Sequence, residues 1–410
     1  MPALSPFVSV ALGPNKRPVV VPAHQQVSAE FAPKYLKVVP DTTCPQAWQG
    51  AETWVEFSLP REMGILENMR LEVNVEAPSF PGPVPDTTIT AALMPTPFWL
   101  SRVEYYWGAD LVETIYGEDA FHEVVGFQNQ DAVNLVSESL NLSRGSAPGY
   151  TENGDGVSSG KFYIPLQSHL TTMKPFVRGF DAIIKVRCYF APTIESSYVT
   201  GNPHPQLKDP QLILCEENLS RAEMDKVERL HKTGVVQYAG IFRERQSDSL
   251  TFSNSATTAS YLRSFKHDSA GFLVYLKNQS ASDNSNNLQL VEIKDIALQD
   301  AVGNKLTEQL SSDFLKYFVF PDHFQSNFTQ TDEGNVYLIP FSSSMSDSIR
   351  TGNCFGKRAL TSQERLQITP LATGNFVTNV VSYTYGYIVC KGGKHYVHMV
   401  STMDEKNKSW

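Results

Sequence analysis

The residues that could carry chemistry are few and scattered. His395 and His398 stand three apart in KHYVHM, with Cys390 five residues before the first, and all three are metal-ligand types. On a strand, side chains alternate faces, so a pair at this spacing points to opposite sides and reads as surface histidines. A two-domain cupin would be an enzyme on a double sandwich, but it needs a His-x-His pair, and none occurs. GNCFGK at 352–357 has too few residues between its glycines for a phosphate loop, and no Ser or Thr follows Lys357 to hold magnesium, so it reads as a turn. Ser, His and Asp are plentiful, yet no Gly-x-Ser-x-Gly elbow is present. The expectation is therefore no catalytic residue, no cofactor site and no metal site.

Two further features invite a binding reading. FWLSRVEYYW, with Phe98, Trp99, Tyr105, Tyr106 and Trp107, could be a platform on which sugars or bases stack. The same alternation serves a sandwich core, and that reading is favoured. The alternative it leaves open is a two-domain, lectin-like carbohydrate-binding protein that depends on Trp99 and Trp107. Asn141, Asn218, Asn278, Asn327 and Asn407 each begin an acceptor sequon. The first 21 residues are interrupted by Pro2, Pro6, Gly13, Pro14 and Pro18, which reads as neither a signal peptide nor an anchor, so the sequons are expected to stay unused.

Composition narrows the class. A chain of 410 residues exceeds what one core usually serves, and two domains near 190 residues fit best. It is 41% hydrophobic, 19% charged and equally rich in Gly and Pro, the profile of strands and turns. A net charge of −9 argues against tight phosphate-backbone binding, which needs clustered cations to release counterions, so any nucleic-acid contact would be local and no direct sequence-specific nucleic-acid binding is expected. Five widely spaced cysteines argue against a disulfide framework.

The elements that must position these residues are mostly strands. Residues 1–50 hold eight prolines and no period, so they read as an extended arm with short strand pieces at most. Met69, Leu71, Val73 and Val75 then alternate with Arg70, Glu72, Asn74 and Glu76, the mark of a strand with one wet face. A hairpin turns at Gly108, and a short helix or irregular segment follows it. The Pro-rich stretch 200–210 reads as a boundary. Beyond it, Ser220 and Glu223 form a capping box that opens a connector helix, with Met224, Val227 and Leu230 as its apolar stripe and Gly234 at its end.

The second half repeats this order. Its hairpin turns at Gly303, and setting Gly303 against Gly108 pairs Leu298 with Val103 and Leu306 with Leu111. A helix-like segment follows each hairpin, and each chain half then reaches a Tyr-containing Ile-Pro strand, YIPL at 163–166 and YLIPF at 337–341. RLQITPL at 365–371 continues the echo of the stretch 160–191. Two such units must each pair two amphipathic sheets. The expected fold is all-β: two tandem eight-stranded jelly-roll β-sandwiches with short helices in loops and a connector helix. The expected divisions are an arm at 1–50, a first roll at 51–200, a linker and connector helix at 201–234, a second roll at 235–400 and a tail at 401–410.

Tandem sandwiches, the repeated hairpin-helix-loop order, the arm and the Pro-rich junction together resemble the double jelly-roll major capsid proteins of tailless icosahedral double-stranded DNA viruses and virophage-like elements. The resemblance covers about residues 50–400. It implies a structural virion protein without enzymatic activity, a homotrimer of pseudo-hexameric outline that tiles a shell. Its partners would be neighbouring capsomers, penton and minor capsid proteins, and an inner membrane where one is present. The loops 78–97, 141–160 and 320–334 would be outer towers or trimer contacts, while the arm and tail would touch neighbours or the layer beneath.

Overall fold

The computed structural model describes residues 7–12, 18–20, 33–76, 99–127, 160–192, 206–217, 219–252, 258–262, 264–278, 290–300, 302–305, 310–324, 335–360 and 364–401. The chain forms two compact units. The first comprises Met1–Val124, Ala132–Gly240 and Tyr387–His398; the second comprises Val125–Asp131, Ile241–Gly386 and Met399–Trp410.

Eight strands of the first unit form two four-stranded sheets. One sheet runs Lys34–Val38, Gln206–Glu217, Ile65–Glu76, Gly160–Pro165, and the other Thr53–Ser58, Ile184–Phe190, Leu100–Trp107, Asp110–Tyr116. All neighbours are antiparallel. Counted along the chain, the sheets read first-eighth-third-sixth and second-seventh-fourth-fifth. That order is a jelly roll. Ile184, Val186, Cys188 and Phe190 are buried while Lys185, Arg187 and Tyr189 between them are only partly covered, so a period of two places one face of this strand on the core. Met69, Leu71 and Val73 meet it from the other sheet, with Trp48, Trp99 and Phe57 among the fully buried side chains. Each such side chain stabilises the fold by roughly 1.5–3 kcal/mol on burial.

The second unit repeats the order with Val235–Phe252, Thr258–Tyr261, Asp268–Asn278, Ile293–Gln299, Leu310–Ser311, Val336–Pro340, Arg365–Pro370 and Gly374–Lys391. Its sheets again read first-eighth-third-sixth and second-seventh-fourth-fifth. Of the first and eighth strands, residues 241–252 and 374–386 belong to this unit, while 235–240 and 387–391 group with the first. Phe272, Val274 and Leu276 pack with Ile296, Leu298, Leu366 and Ile368 between the sheets. Leu273 and Tyr275, on the opposite face of the same strand, pack with Leu338, Val381 and Tyr383 beneath Met345, Ile349 and Phe320.

The echo read in the sequence is structural. YIP and YLIP end the sixth strand of each unit, and Ile184–Phe190 and Arg365–Pro370 are the seventh strands. Gly108 and Gly303 both take positive φ, 64° and 96°, at the turns that follow the fourth strands, and Val103 and Leu298 are both buried. Two segments differ from their expected roles. Residues 206–217, placed in the linker, are an internal strand, and residues 34–38, placed in the arm, are a sheet edge that pairs with it. Pro210 is tolerated there because the register shifts between Lys208 and Gln211, a bulge that needs no donor at the proline. Within the arm, Phe7–Leu12 pairs with residues 235–238 and with Pro18–Val20.

The capping box forms as expected. Ser220 Oγ accepts from the Glu223 backbone N–H at 3.3 Å, and Glu223 Oε2 accepts from the Ser220 N–H at 3.0 Å, opening the helix Arg221–Thr233. Gly117–Phe127 is the helix after the first hairpin. The expected outer loops 78–97 and 141–159, residues 325–334 and the tail 402–410 lie outside the described residues, whereas Phe320–Phe324 is helical. No helix among the described residues is long and apolar enough to cross a membrane.

Candidate functional site

The structure separates the three residues whose spacing suggested a metal. Cys390 is buried with its Sγ 3.6 Å from the Gly179 carbonyl, and burial pushes its thiol up to about 11. His395 lies against the Trp107 ring, with Nε2 3.2 Å from Asp110 Oδ2. His398 stacks on Tyr387 at 5.2 Å. No group of three or more potential ligands is arranged to hold a metal among the described residues. In the glycine stretch, Gly352 ends the helix Met345–Thr351 in the left-handed conformation, and Lys357 pairs with buried Asp268 at 2.6 Å. Of the sequons, Asn278 lies at the exposed end of a strand; the other four fall outside the described residues.

Trp99, Tyr105 and Trp107 of the aromatic stretch are core, while Tyr106 lies on the opposite face of the strand. Trp99 and Trp107 are 1% and 0% exposed, and Trp48 meets Trp99 with ring centroids 5.7 Å apart. The Trp48 indole N–H donates to the Trp99 carbonyl at 3.2 Å. Neither tryptophan read as a stacking platform offers a face to a ligand, which removes the residues on which a lectin-like reading depended.

Trp107 closes a buried triad that sequence reading missed. Its Nε1–H donates to His169 Nε2 at 3.0 Å, so the imidazole carries its proton on Nδ1 and donates it to Glu113 Oε2 at 2.7 Å. The same carboxylate oxygen accepts the His169 backbone N–H at 2.8 Å. A His-Glu pair is the skeleton of acid-base catalysis. Here both side chains are fully buried, and the nitrogen that would take a substrate proton already accepts from the indole. The triad is a packing device.

A densely hydrogen-bonded polar surface is the outer face of the sheet that carries Thr53–Ser58, Ile184–Phe190 and Leu100–Trp107. Register places three rows across it: Trp54, Tyr189 and Arg102; Glu56, Arg187 and Glu104; Ser58, Lys185 and Tyr106. Arg187 donates to Glu56 at 2.6 and 3.1 Å, and Lys185 donates to the other oxygen of the same carboxylate at 2.8 Å. Tyr106, Tyr189 and Arg102 all donate to Glu104, at 2.6, 3.0 and 3.0 Å. The Arg102 guanidinium lies 3.7 Å over the Tyr189 ring, and that of Arg187 lies between Trp54 and Tyr106 at 4.6 and 5.0 Å.

Burial alone would raise both glutamates, but the donors around each outweigh it and hold them below the usual carboxylate range. Burial and then Glu104 push Tyr106 up to about 12. With Glu52 on Arg102 at 2.7 Å, three carboxylates balance three cations. The result is a rigid, neutral, saturated face, suited to structure and contact. The signal for it was present in the sequence as Lys185, Arg187 and Tyr189 at alternate positions of an apolar strand.

No protein-family model and no curated protein matches the sequence. Solved structures do. The chain is similar to VP54 of the virus PBCV-1, in its fit to a reconstruction of the virophage Sputnik, with TM-score 0.66 and 12% identity over 91% of this chain and 99% of that one. It is similar to a structure of the Sputnik virophage, with TM-score 0.55 and 12% identity over 97% and 93%. It is also similar to the Faustovirus major capsid protein, with TM-score 0.54 and 8% identity over 93% of each chain. Both sheets of both units, in their strand order, and this end-to-end coverage identify the fold of the chain as the double jelly roll of major capsid proteins.

Proposed function

We propose that this chain is a structural virion protein, the major capsid protein of an icosahedral virus or virophage-like element. The observation that carries this reading is the duplication itself: one jelly-roll strand order used twice in a single chain, over nearly the full length of solved capsid proteins. Three chains of two similar rolls give six roll-sized bodies around a threefold axis, so a homotrimer occupies a hexagonal lattice position with half the number of chains. The partners are then further copies of the same trimer, penton and minor capsid proteins, and any membrane beneath the shell. The site of action is the virion, after synthesis in the cytoplasm or nucleus of the host cell.

The physical character of the molecule supports a structural role. The most elaborate side-chain arrangements, the Trp107-His169-Glu113 triad and the Arg-Glu-Tyr face, are saturated with internal partners and leave no nucleophile or base poised. The net charge of −9 assigns genome condensation to another protein. Electron microscopy of concentrated purified protein tests the reading. Pseudo-hexagonal trimers, sheets of them or closed shells are expected; dispersed single chains under every condition would overturn it.

A further inference from the structure

The helix Arg221–Thr233 is mostly partly exposed along its length, with one exception. His231 in its last turn is fully buried. Its Nδ1 is 2.8 Å from the Val227 carbonyl one turn back, and an acceptor there requires the proton on Nδ1. Nε2 is then an acceptor, and the Tyr238 hydroxyl 2.6 Å away donates to it. Tyr238 Oη in turn accepts the Phe176 backbone N–H at 3.2 Å. The chain of hydrogen bonds therefore has one direction, and its middle link, from the Tyr238 hydroxyl to Nε2, needs the imidazole neutral.

Four segments of the first unit meet at this ring. Phe176 and Phe180 flank it with centroids 5.4 and 5.7 Å away, and Tyr238 lies at 5.8 Å. A Cβ on Gly179 would overlap the imidazole, so the turn Val177–Gly179 accepts the histidine only because residue 179 has no side chain. The His231 carbonyl accepts the Gly393 N–H at 3.3 Å, and Cys390 Sγ lies 3.9 Å from it, which brings in the C-terminal hairpin. Asp181 N–H donates to the Gly393 carbonyl at 2.8 Å.

The charged groups about the ring sit at its margin. On the helix these are Glu228 and Lys232, which pair with each other; from the turn, Arg178 reaches Glu228 at 2.7 Å and Asp225 at 3.9 Å; from the hairpin side there is Asp181. Tyr238 and Cys390, the other titratable groups in contact, are both raised by burial and stay neutral in acid.

We propose that His231 is an acid-released latch: neutral, it fastens the helix Arg221–Thr233 to the turn Val177–Gly179 and to Tyr238, and protonation of the ring frees the helix. A proton on Nε2 would face the tyrosine hydrogen, so the Tyr238 hydroxyl could no longer donate to the ring. The new charge would also stand in a fully buried, aromatic-lined place. Burial, against the smaller opposing pull of Val227 and Glu228, depresses the histidine to about 4 from its ordinary 6.5. The sign follows directly. The freed state binds the proton first, so the latch is complete above 6.5 and is lost as pH falls towards 4, by up to about tenfold per pH unit. Glu228 is held below its ordinary 4.5, chiefly by its bond to Lys232, which leaves the window above that value to the histidine. This latch acts within one chain and does not depend on the capsid reading.

Hydrogen exchange of the full chain from pH 7.5 to 4, corrected for intrinsic rates, tests the proposal. Protection of amides 221–233 should fall about tenfold per pH unit below about 6, while Thr53–Ser58 and Ile184–Phe190 hold theirs. His231→Gln should abolish the slope, and Gly179→Ala should lower protection of the helix at every pH. A flat wild-type profile, or a slope that survives His231→Gln, would overturn it. If His231→Gln does not fold, NMR of the wild-type imidazole decides: the Nδ1–H tautomer persisting well below pH 6.5 supports the latch, and an ordinary titration with the helix still protected refutes it.

Discussion

The third strands of the two rolls occupy the same place in the same topology and read differently. In Ile65–Glu76, Met69, Leu71 and Val73 face the core while Arg70 is exposed and Glu72 is a buried carboxylate that pairs with the Lys37 ammonium at 2.9 Å. In Asp268–Asn278, nine consecutive residues from Asp268 are buried, because the outer face is roofed by Met345, Ile349 and Phe320. A strand with one wet face alternates, whereas a strand covered on both faces becomes a continuous apolar run. One fold thus supports two surface characters. The first roll ends its sheet in charge, and the second grows another layer on it.

The largest test of that difference is a matched pair of truncations. Leu273→Ala should destabilise the second unit by about 2–5 kcal/mol, as buried Leu→Ala changes do. Arg70→Ala, at an outward position of the first, should stay within about 0.5 kcal/mol. Denaturant unfolding followed by unit-resolved hydrogen exchange measures both, and equal effects would erase the contrast.

Next in size is Trp107→Phe, which keeps the ring in the first roll's core but leaves His169 Nε2 without its donor. A loss of about 1–3 kcal/mol is expected, read from the denaturation midpoint. The helix caps come next and should behave alike in both units. Ser220→Ala and Ser344→Ala each remove a side-chain acceptor at a helix start, for about 1 kcal/mol apiece.

A small effect is also expected on the charged outer face of the first roll. Arg187→Met should cost at most about 1 kcal/mol, since the guanidinium is partly exposed and screened by solvent. Its pH signature is more telling. Glu56 and Glu104 lie below their ordinary 4.5 in the folded chain, so their stabilisation is complete above that value and is lost as pH falls through the folded values. Arg187→Met should flatten that acid limb of the stability curve.

Much of this architecture was legible in the sequence, for reasons that are local. Alternation exposed the third strand of the first roll, and counting back five residues from Gly108 and Gly303 found two equivalent buried positions, Val103 and Leu298. Ser220 and Glu223 announced their helix because a capping box is complete within four residues. Strand 206–217 was hidden by Pro210, whose acceptance depends on a bulge against a partner strand more than 130 residues away. Strand 34–38 was hidden because it is short and pairs, among the described residues, with that same strand. The roles of His169 and His231 depend on Glu113, Trp107, Tyr238 and Gly179, contacts that no local pattern in the chain encodes. His395 and His398 were read from spacing alone as surface histidines, and their surroundings are aromatic: one ring rests on Trp107 and the other on Tyr387.

The central claim is that two jelly rolls in one chain make a subunit that assembles in threes. Light scattering on the purified full chain over a wide concentration range tests it most directly. A species of three times the 45.7 kDa chain mass that persists on dilution is the result expected. A strict monomer at every concentration would contradict it.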